Sequence, residues 1–168
     1  VTSVEDTFPV KNFFTSAPHL FDRYDASSCH AGQQWVWDGF FFHVLCPKQG
    51  ASYQGNNSSC VLKVSDGVHA FLLTGDIEKP AELEILSHHN VKADVIQAPH
   101  HGSQTSSSLA FVSAVHPLVV IYPVGFMNRY HFPSERVKKR YNALNAKEFL
   151  TSRFGAVMVY LSRPTKVK

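Results

Sequence analysis

The chain has 168 residues, of which 44% are apolar and 17% are charged, and its formal net charge is +3. This composition predicts one globular domain over 1–168 and excludes a disordered chain, while the mild positive charge permits a nucleic-acid partner without implying one. The most apolar stretch, 109–127, is broken by His116, Pro117 and Pro123. A membrane span is therefore not expected, and the composition predicts a soluble domain.

The first half of the chain predicts two β-hairpins after a poorly periodic region, 1–30, that should consist mainly of loops. Trp35 and Trp37 alternate as strand residues do, and Asp38-Gly39 is a strong turn signal before a second strand over 40–45. Asp66-Gly67 predicts the turn of the next hairpin, between strands over 60–65 and 68–73. The run 70–73 is continuously apolar, which predicts a strand buried on both faces.

The second half predicts alternating strands and helices. The predicted elements are a helix over 80–86, a strand over 94–98, a helix capped by Ser106 or Ser107 and running to 115, a strand over 118–124, a helix after Ser134 with Val137, Tyr141 and Leu144 on one face, and a closing hairpin from 149–151 and 156–161 around Gly155. This alternation is typical of a layered α/β fold in which helices cover a sheet.

The three cysteines are Cys29, Cys46 and Cys60, which are widely spaced and match no zinc pattern. Free thiols are the favoured interpretation, and one disulfide in an oxidising compartment is the alternative. The chain also has ten histidines, which is unusual, and histidine is both the commonest metal ligand and a proton carrier near neutral pH. The pair at 88–89 follows a predicted helix, which favours surface positions.

Three polar clusters follow predicted buried strands, where layered α/β proteins usually place their sites. The first is Thr74-Gly75-Asp76. Because the glycine allows a tight turn, the Asp76 carboxylate can project from the end of the strand and ligate or bridge metal ions. The alternative is a turn aspartate that caps the following helix.

The second cluster, 99–103, contains two adjacent histidines, His100 and His101. Neighbouring side chains diverge, so normally one of them ligates a given metal ion. The following hydroxyl-rich stretch, 103–108, offers hydroxyls and backbone donors for an anion, with Ser103 and Thr105 as candidate substrate-binding residues. The alternative is a polar loop with a capped helix behind it.

The third cluster, 128–133, begins with Asn128 and Arg129. Arg129 can pair with a phosphate through two hydrogen bonds, and His131 can donate a proton or act as a ligand. The alternative is a capping loop with an aromatic plug.

Two surface features are ambiguous from the sequence. Trp35 and Trp37 fall on one face of their hairpin, where core packing is the favoured interpretation and a base-stacking platform is the alternative. The basic run within 136–140 is interpreted as a solvated helix face, with contacts to a phosphate backbone as the alternative.

The segments 72–78 and 98–103 resemble the later metal-binding motifs of metallo-β-lactamase-fold hydrolases. They read Leu72-Leu73-Thr74-Gly75-Asp76-Ile77-Glu78 and Ala98-Pro99-His100-His101-Gly102-Ser103. The residues of these two segments are similar to those of ComEC-type competence proteins. Four further segments support this subfamily: 31–39, 56–62, 111–117 and 128–133. The resemblance covers residues 29–145.

The resemblance implies an αββα sandwich with one or two metal ions at the rim of the sheet, zinc or manganese in the complete domain, and hydrolysis by a metal-activated water. Asp76 corresponds to the family's metal-bridging aspartate. One of His100 and His101 corresponds to the last histidine ligand, and we favour His101. Asn57 and Ser58 stand where other branches carry a further histidine ligand, so that ligand is expected to be lost here.

The family's main metal motif, His-x-His-x-Asp-His, does not occur in this sequence. We therefore expect the chain to be the second half of the domain plus flanking strands, starting after that motif. Two side chains, Asp76 and one histidine, fall short of the three protein ligands of a catalytic zinc. The chain by itself is expected to bind metal poorly, to hydrolyse little, and to self-associate through a sheet face that lacks its partner half.

The resemblance implies a parent protein in the bacterial inner membrane that imports DNA during natural transformation. This domain would lie on the periplasmic side and would handle or cleave single-stranded DNA, with the membrane-channel portion of the same parent as its second partner. Arg129, Asn128 and the 103–108 stretch would hold the phosphate, and His100 or His131 would protonate the leaving oxygen. The alternatives are a non-catalytic DNA-binding module with a degenerate metal site, and a small-molecule ester or phosphodiester hydrolase of the same fold.

Overall fold

The computed structural model describes residues 7–21, 25–52, 54–161 and 166–167. Its main sheet has seven strands whose spatial order follows the chain. They are β3 (Gln34–Trp37), β4 (Phe40–Cys46), β5 (Val61–Ser65), β6 (Ala70–Leu73), β7 (Val95–Gln97), β8 (Val119–Tyr122) and β9 (Lys147–Leu150). Two short ribbons flank this sheet, one formed by β1 (Phe13–Thr15) with β2 (Ala26–Ser28) and one by β10 (Val159–Tyr160) with β11 (Lys166–Val167).

The α-helices are α1 (Lys79–His88), α2 (Leu109–Val115), α3 (Glu135–Asn142) and α4 (Thr151–Phe154). Single turns of 3-10 helix occupy Pro18–Leu20, Gly55–Ser58 and Pro99–Gly102. No helix within the described residues is long and apolar enough to cross a bilayer.

The sheet changes character at β6. Strands β3 to β6 are antiparallel neighbours, with tight turns between β3 and β4 and between β5 and β6 and a longer loop between β4 and β5, whereas β6 to β9 are parallel and are joined through helices. The hairpin turn before β6 is closed by the Asp66 carboxylate, which accepts backbone N–H groups from Val68 at 2.8 Å and His69 at 2.6 Å. The two predicted hairpins and the layered α/β class are confirmed.

One face of the sheet is covered by helices. Leu72, Ile96 and Val120 occupy adjacent positions on neighbouring strands, point to the same side and are fully buried. Their cluster includes Phe111 from α2 and Tyr141 from α3, so the chain's own helices close this helix-covered face.

The second face carries the alternate residues of the same strands. Val95, Val119 and Ile121 are buried there, but Phe71 is partly exposed. The cover consists of side chains from the segment after α4, including Val159. Because this cover is thin, the prediction that 70–73 is buried on both faces is wrong for Phe71 and Leu73, which are only partly buried.

Most predicted elements of the second half are confirmed with small shifts at their ends, and Ser134 caps α3 by accepting the Val137 N–H at 3.3 Å. The cap of α2 is Ser108, not Ser106 or Ser107. The Ser106 hydroxyl is engaged elsewhere, donating to the Pro99 carbonyl at 2.7 Å and to the Ser103 carbonyl at 3.0 Å.

The predicted closing hairpin around Gly155 is wrong. The segment 147–150 pairs in parallel with β8, and the chain then enters α4 instead of turning back on itself. Parallel pairing with a distant strand gives the same apolar alternation as a local hairpin, so the pattern alone did not separate the two.

The favoured interpretation of three free thiols is also wrong. Cys29 and Cys60 form a disulfide, and Cys46 is free and buried. The two partners are 31 residues apart in sequence, and their disulfide joins the segment before β3 to the residue that precedes β5.

Candidate functional site

Asp76 sits in a tight turn immediately after β6. Gly75 has a φ of +56°, and a side chain there would meet the Ser59 Cβ at 2.8 Å, so glycine is required by both conformation and space. Ser59 accepts the Asp76 N–H through its hydroxyl at 3.1 Å. Since Ser59 precedes the disulfide residue Cys60, the turn that carries the carboxylate rests on a covalently anchored segment.

His101 lies in the 3-10 turn after β7, where both histidines have a positive φ. Gly102 follows, and a Cβ there would meet Pro133 at 2.6 Å, so the chain passes close to the loop after β8. The Nδ1 atom of His101 lies 2.8 Å from the carbonyl oxygen of Pro123. Its Nε2 atom lies 3.5 Å from Oδ1 of Asp76, so the structure brings these two predicted residues together.

The hydrogen bond to Pro123 fixes the tautomer of His101. A carbonyl oxygen only accepts, so Nδ1 carries the proton and Nε2 of the neutral ring presents a lone pair. This lone pair faces a carboxylate oxygen at 3.5 Å. Two such acceptors require a cation between them, either a metal ion or a second imidazole proton. Two ligand atoms of one tetrahedral zinc ion lie about 3.3 Å apart when each bond is about 2 Å long, so the pair fits two positions of a metal site.

The ligand set is incomplete within the described residues. Across 7–21, 25–52, 54–161 and 166–167, no three His, Cys, Asp or Glu side chains come together as a metal site. A catalytic zinc takes three protein ligands. Asp76 and His101 can therefore supply part of the ligand set of a metal ion, but not all of it.

His100 belongs to a different hydrogen-bonding group from its neighbour. Its Nδ1 atom lies 3.2 Å from Oε1 of Glu78, and the same carboxylate oxygen accepts the Thr105 hydroxyl at 2.6 Å. The Thr105 hydroxyl in turn lies 3.0 Å from that of Ser103. When Nδ1 donates to Glu78, Nε2 is left to take or give a proton, which is the arrangement a general acid or base needs.

The stretch 103–108 is shaped from beneath by a buried carboxylate. Glu82 of α1 is fully buried and accepts the backbone N–H groups of Ser107 and Ser108, the latter at 2.8 Å. From the other side, Arg140 donates to the carbonyl oxygens of Ser106, at 3.1 Å, and Ser107. Burial raises the pKa of the Glu82 carboxyl, and the hydrogen bonds from the serines oppose that shift.

The predicted anion-binding role of the stretch 103–108 depends on which of its hydroxyl groups are exposed. Ser103 is 6% exposed, Ser106 and Ser107 are fully buried, and their polar groups bond within the protein. Thr105 is exposed and stands next to His100, which makes it the hydroxyl of this stretch closest to the candidate acid.

The residues at the lost-ligand position have structural contacts. Asn57 accepts the backbone N–H groups of Glu78 at 3.1 Å and Ala81 at 3.4 Å, so it caps the first turn of α1. The Ser58 hydroxyl accepts the Gln54 N–H at 2.7 Å and is buried. This position therefore supports the helix that follows Asp76.

The loop after β8 is closed by Asn128. Its side chain accepts the Phe132 N–H at 2.8 Å and donates to the Phe132 carbonyl oxygen at 2.9 Å. Arg129 lies over the Tyr130 ring, 4.6 Å from the ring centre, and donates to its hydroxyl. His131 is exposed with a φ of +54°, and its proposed proton transfer stays a prediction.

Sequence reasoning missed Glu78, Ser59 and Glu82. A signal existed for Glu82, because it falls on the same helical face as Ile85, and a carboxylate on an apolar face needs buried partners. Ser59 gave no comparable signal, since its partner Asp76 is 17 residues away in sequence.

No protein-family profile matches the chain, but individual relatives do. Competence protein ComA of Neisseria gonorrhoeae is 36% identical over 157 residues, which is 92% of this chain and 22% of that protein. Recombination protein 2 of Haemophilus influenzae is 38% identical over 158 residues, which is 94% of this chain and 20% of that protein. ComE operon protein 3 of Bacillus subtilis is 41% identical over 97 residues, which is 57% of this chain and 12% of that protein.

The chain belongs to the ComEC family of competence proteins. It spans about a fifth or less of the length of these three relatives. Two solved structures superpose on 82% of the chain. The first is the metallo-β-lactamase fold protein YhfI of Bacillus subtilis, with a TM-score of 0.47, 12% sequence identity and 60% of that protein covered. The second is a mutant of CmlA β-hydroxylase, with a TM-score of 0.55, 9% sequence identity and 35% of that protein covered. The metallo-β-lactamase-like fold class predicted from the sequence is confirmed.

Proposed function

We propose that this ComEC-family chain is part of a bacterial inner-membrane protein that takes up DNA, and that it handles incoming single-stranded DNA at a metal-assisted phosphodiester-hydrolysis site. The observation that carries the proposal is the pair of acceptor atoms on Asp76 and His101, held 3.5 Å apart with the histidine tautomer fixed. The relatives' names, which refer to competence and recombination, support the DNA-uptake role.

In this proposal a divalent metal ion, zinc or manganese, supplies an activated water and neutralises phosphate charge when it is bound. Asp76 and His101 hold that ion together with ligands beyond the described residues. His100, oriented by Glu78, gives a proton to the leaving oxygen, with His131 as the second candidate. Thr105 and Arg129 contact the phosphate, and Ser103 and Asn128 act through them by fixing the Thr105 hydroxyl and the loop after β8.

We further propose that the domain faces the periplasm and works beside the membrane-channel portion of the same parent. The Cys29–Cys60 disulfide supports the periplasmic side, because disulfides persist in oxidising compartments and are rare in the cytosol. Alkylation of intact cells with a membrane-impermeant reagent after mild reduction, followed by mass spectrometry, should label Cys60, which is only partly buried. Labelling only after lysis would place the domain in the cytosol.

A non-catalytic DNA-binding module is the second candidate function. It is favoured by one observation, the presence of only two suitable metal donors together within the described residues. In that case Asp76 and His101 would form an ion pair with a protonated imidazole, and DNA would be held through its backbone alone.

The test is nuclease turnover on single-stranded DNA, with and without added manganese or zinc. Three proteins are compared: the parent domain carrying the family's His-x-His-x-Asp-His motif, its Asp76→Ala variant, and its Glu84→Ala variant. Glu84 is an exposed carboxylate on α1 and is the matched control. We expect metal-dependent turnover that Asp76→Ala abolishes and Glu84→Ala leaves intact. DNA binding without turnover in the unaltered domain would favour the non-catalytic module.

A further inference from the structure

Four side chains form a continuous series of contacts between flat groups that leads from the loop after β8 to His101 in the candidate site. Arg129 lies over the Tyr130 ring at 4.6 Å, and Tyr130 stacks on Phe132 with ring centres 5.5 Å apart and an angle of 20°. Phe132 meets the His100 ring edge-on at 6.0 Å. His100 in turn lies 6.3 Å from the ring of His101, so the series ends at the donor pair.

The outer end of the series is exposed. The Tyr130 side chain is 59% exposed, although large aromatic groups are usually buried where packing is their only role. Arg129 is exposed as well. Guanidinium planes and aromatic rings are the two surfaces on which proteins stack unpaired bases.

The loop holds these groups in place without a ligand. Asn128 makes two hydrogen bonds to the backbone of Phe132, and Pro133 packs against Gly102 of the histidine turn. Met127 and His131 both have a positive φ, which is uncommon for non-glycine residues and is typical of loops held in a set shape at ligand sites. A preformed surface loses little conformational entropy on binding.

A second aromatic surface, on the first hairpin, is organised differently. Of the two candidate base-stacking residues of the first hairpin, Trp35 already stacks on Phe42 at 5.1 Å and on Phe14 at 6.0 Å, and Trp37 is tilted against Phe42 at 6.3 Å and 71% exposed. Trp35 is therefore engaged by rings of its own chain. It also lies on an edge hairpin, away from the turns that carry Asp76 and His101.

We propose that the loop 128–132 is a base-stacking subsite, in which an unpaired nucleobase stacks on Arg129 and Tyr130 and thereby guides the neighbouring phosphate toward the Asp76–His101 pair. This inference rests on the proposed function and names the part of single-stranded DNA that the loop recognises. Stacking makes the subsite indifferent to base sequence, since every base has a flat face. A paired base has its faces covered by its neighbours in the duplex, so the subsite selects single strands.

The test compares three fluorescein-labelled 12-mers by anisotropy: oligo-dT, an abasic strand with the same phosphates, and a duplex. We expect the chain to bind oligo-dT more tightly than the other two. Tyr130→Leu should weaken oligo-dT binding about tenfold and leave abasic binding unchanged, whereas Tyr130→Trp should retain tight binding. Arg129→Lys, which keeps the charge but loses the plane, should weaken oligo-dT binding more than binding of the abasic strand.

Tyr160→Leu is the matched control, because Tyr160 is another partly exposed tyrosine but lies on β10. Circular dichroism and thermal midpoints of all variants exclude a general loss of fold. Equal binding of oligo-dT and the abasic strand, or equal effects of Tyr130→Leu and Tyr160→Leu, would overturn the base-stacking subsite and leave DNA handling standing. Absence of binding to any of the three 12-mers would overturn the proposed function as well.

Discussion

On the helix-covered face of the sheet, Leu72, Ile96 and Val120 are fully buried beneath helices, whereas on the second face Phe71 and Leu73 remain partly exposed. The same strands supply both faces, so the difference comes from what packs against them. Three helices close the first face, and short segments near the two ends of the described chain lie against the second. Burial on one side of a strand therefore says little about the other side.

The comparison predicts unequal losses for two adjacent leucines of β6. Leu72→Ala should lower the free energy of unfolding by about 4 kcal/mol, because it leaves a cavity in a closed core, and Leu73→Ala by about 2 kcal/mol. Urea denaturation followed by circular dichroism measures both. Equal losses would mean that the second face is packed as tightly as the first.

The disulfide is expected to matter mainly for the second face, because it anchors the segment after β2. Phe14, in the ribbon formed by β1 and β2, stacks on Trp35, and the cross-strand neighbour of Trp35, Phe42, lies on the second face. Opening the Cys29–Cys60 loop should lower the free energy of unfolding by about 3–4 kcal/mol, as loop-closure entropy predicts for a separation of 31 residues. The measurement is urea denaturation with and without reductant.

Cys46 serves as the internal control for that experiment. Burial and the nearby Glu84 raise the pKa of its thiol to about 12, so it should resist alkylation in the folded protein at pH 8. Thiol titration after unfolding should find one free thiol without reductant and three with it. Three thiols without reductant would contradict the disulfide.

Self-association, expected from the sequence, should involve the second face. Trp37 is on that face and is 71% exposed. Trp37→Ser should therefore weaken association about tenfold, or about 1.4 kcal/mol. Sedimentation velocity over a concentration series measures this, with Leu83→Ser on the exposed side of α1 as a control. A monomer at every concentration would show that the short segments cover the second face sufficiently.

The smallest expected effect concerns the edge of the helix-covered face, where His43 of β4 meets His89 at the end of α1 with ring centres 5.5 Å apart. Burial lowers the pKa of both histidines. The positive charge of Lys63 lowers the pKa of His43 further, and the neighbouring His43 and His88 lower that of His89 further. When folding lowers the pKa of a histidine, protonation favours the unfolded state. The stability is fully present at a pH above the pKa of the unfolded state, about 6.5, and it is lost as the pH falls through the lower pKa of the folded state.

Thermal midpoints should therefore decrease as the pH is lowered from about 7 toward 5.5, and less so in His89→Gln. His116→Gln, at an exposed histidine for which no such contact exists among the described residues, is the control. An unchanged pH profile in His89→Gln would assign the dependence to other groups.

Several features were predictable because their signals are local. Asp38-Gly39 and Asp66-Gly67 mark hairpins through the backbone conformations that such pairs favour, and both hairpins form where expected. The motif order placed Asp76 and His101 after neighbouring parallel strands, whose ends meet at one edge of the sheet. The closing hairpin failed for the opposite reason, since its pattern fits a local and a distant partner equally well.

The sequence by itself determined most of the strands, helices and turns, because each of these depends on residues close together in the chain, and the resemblance of its motifs identified Asp76 and His101 as a candidate pair. The tertiary structure alone decided the Cys29–Cys60 pairing, the His101 tautomer set by Pro123, and which sheet face is closed. These depend on contacts between residues 20 or more positions apart, and such contacts exist only once the packing has brought them together.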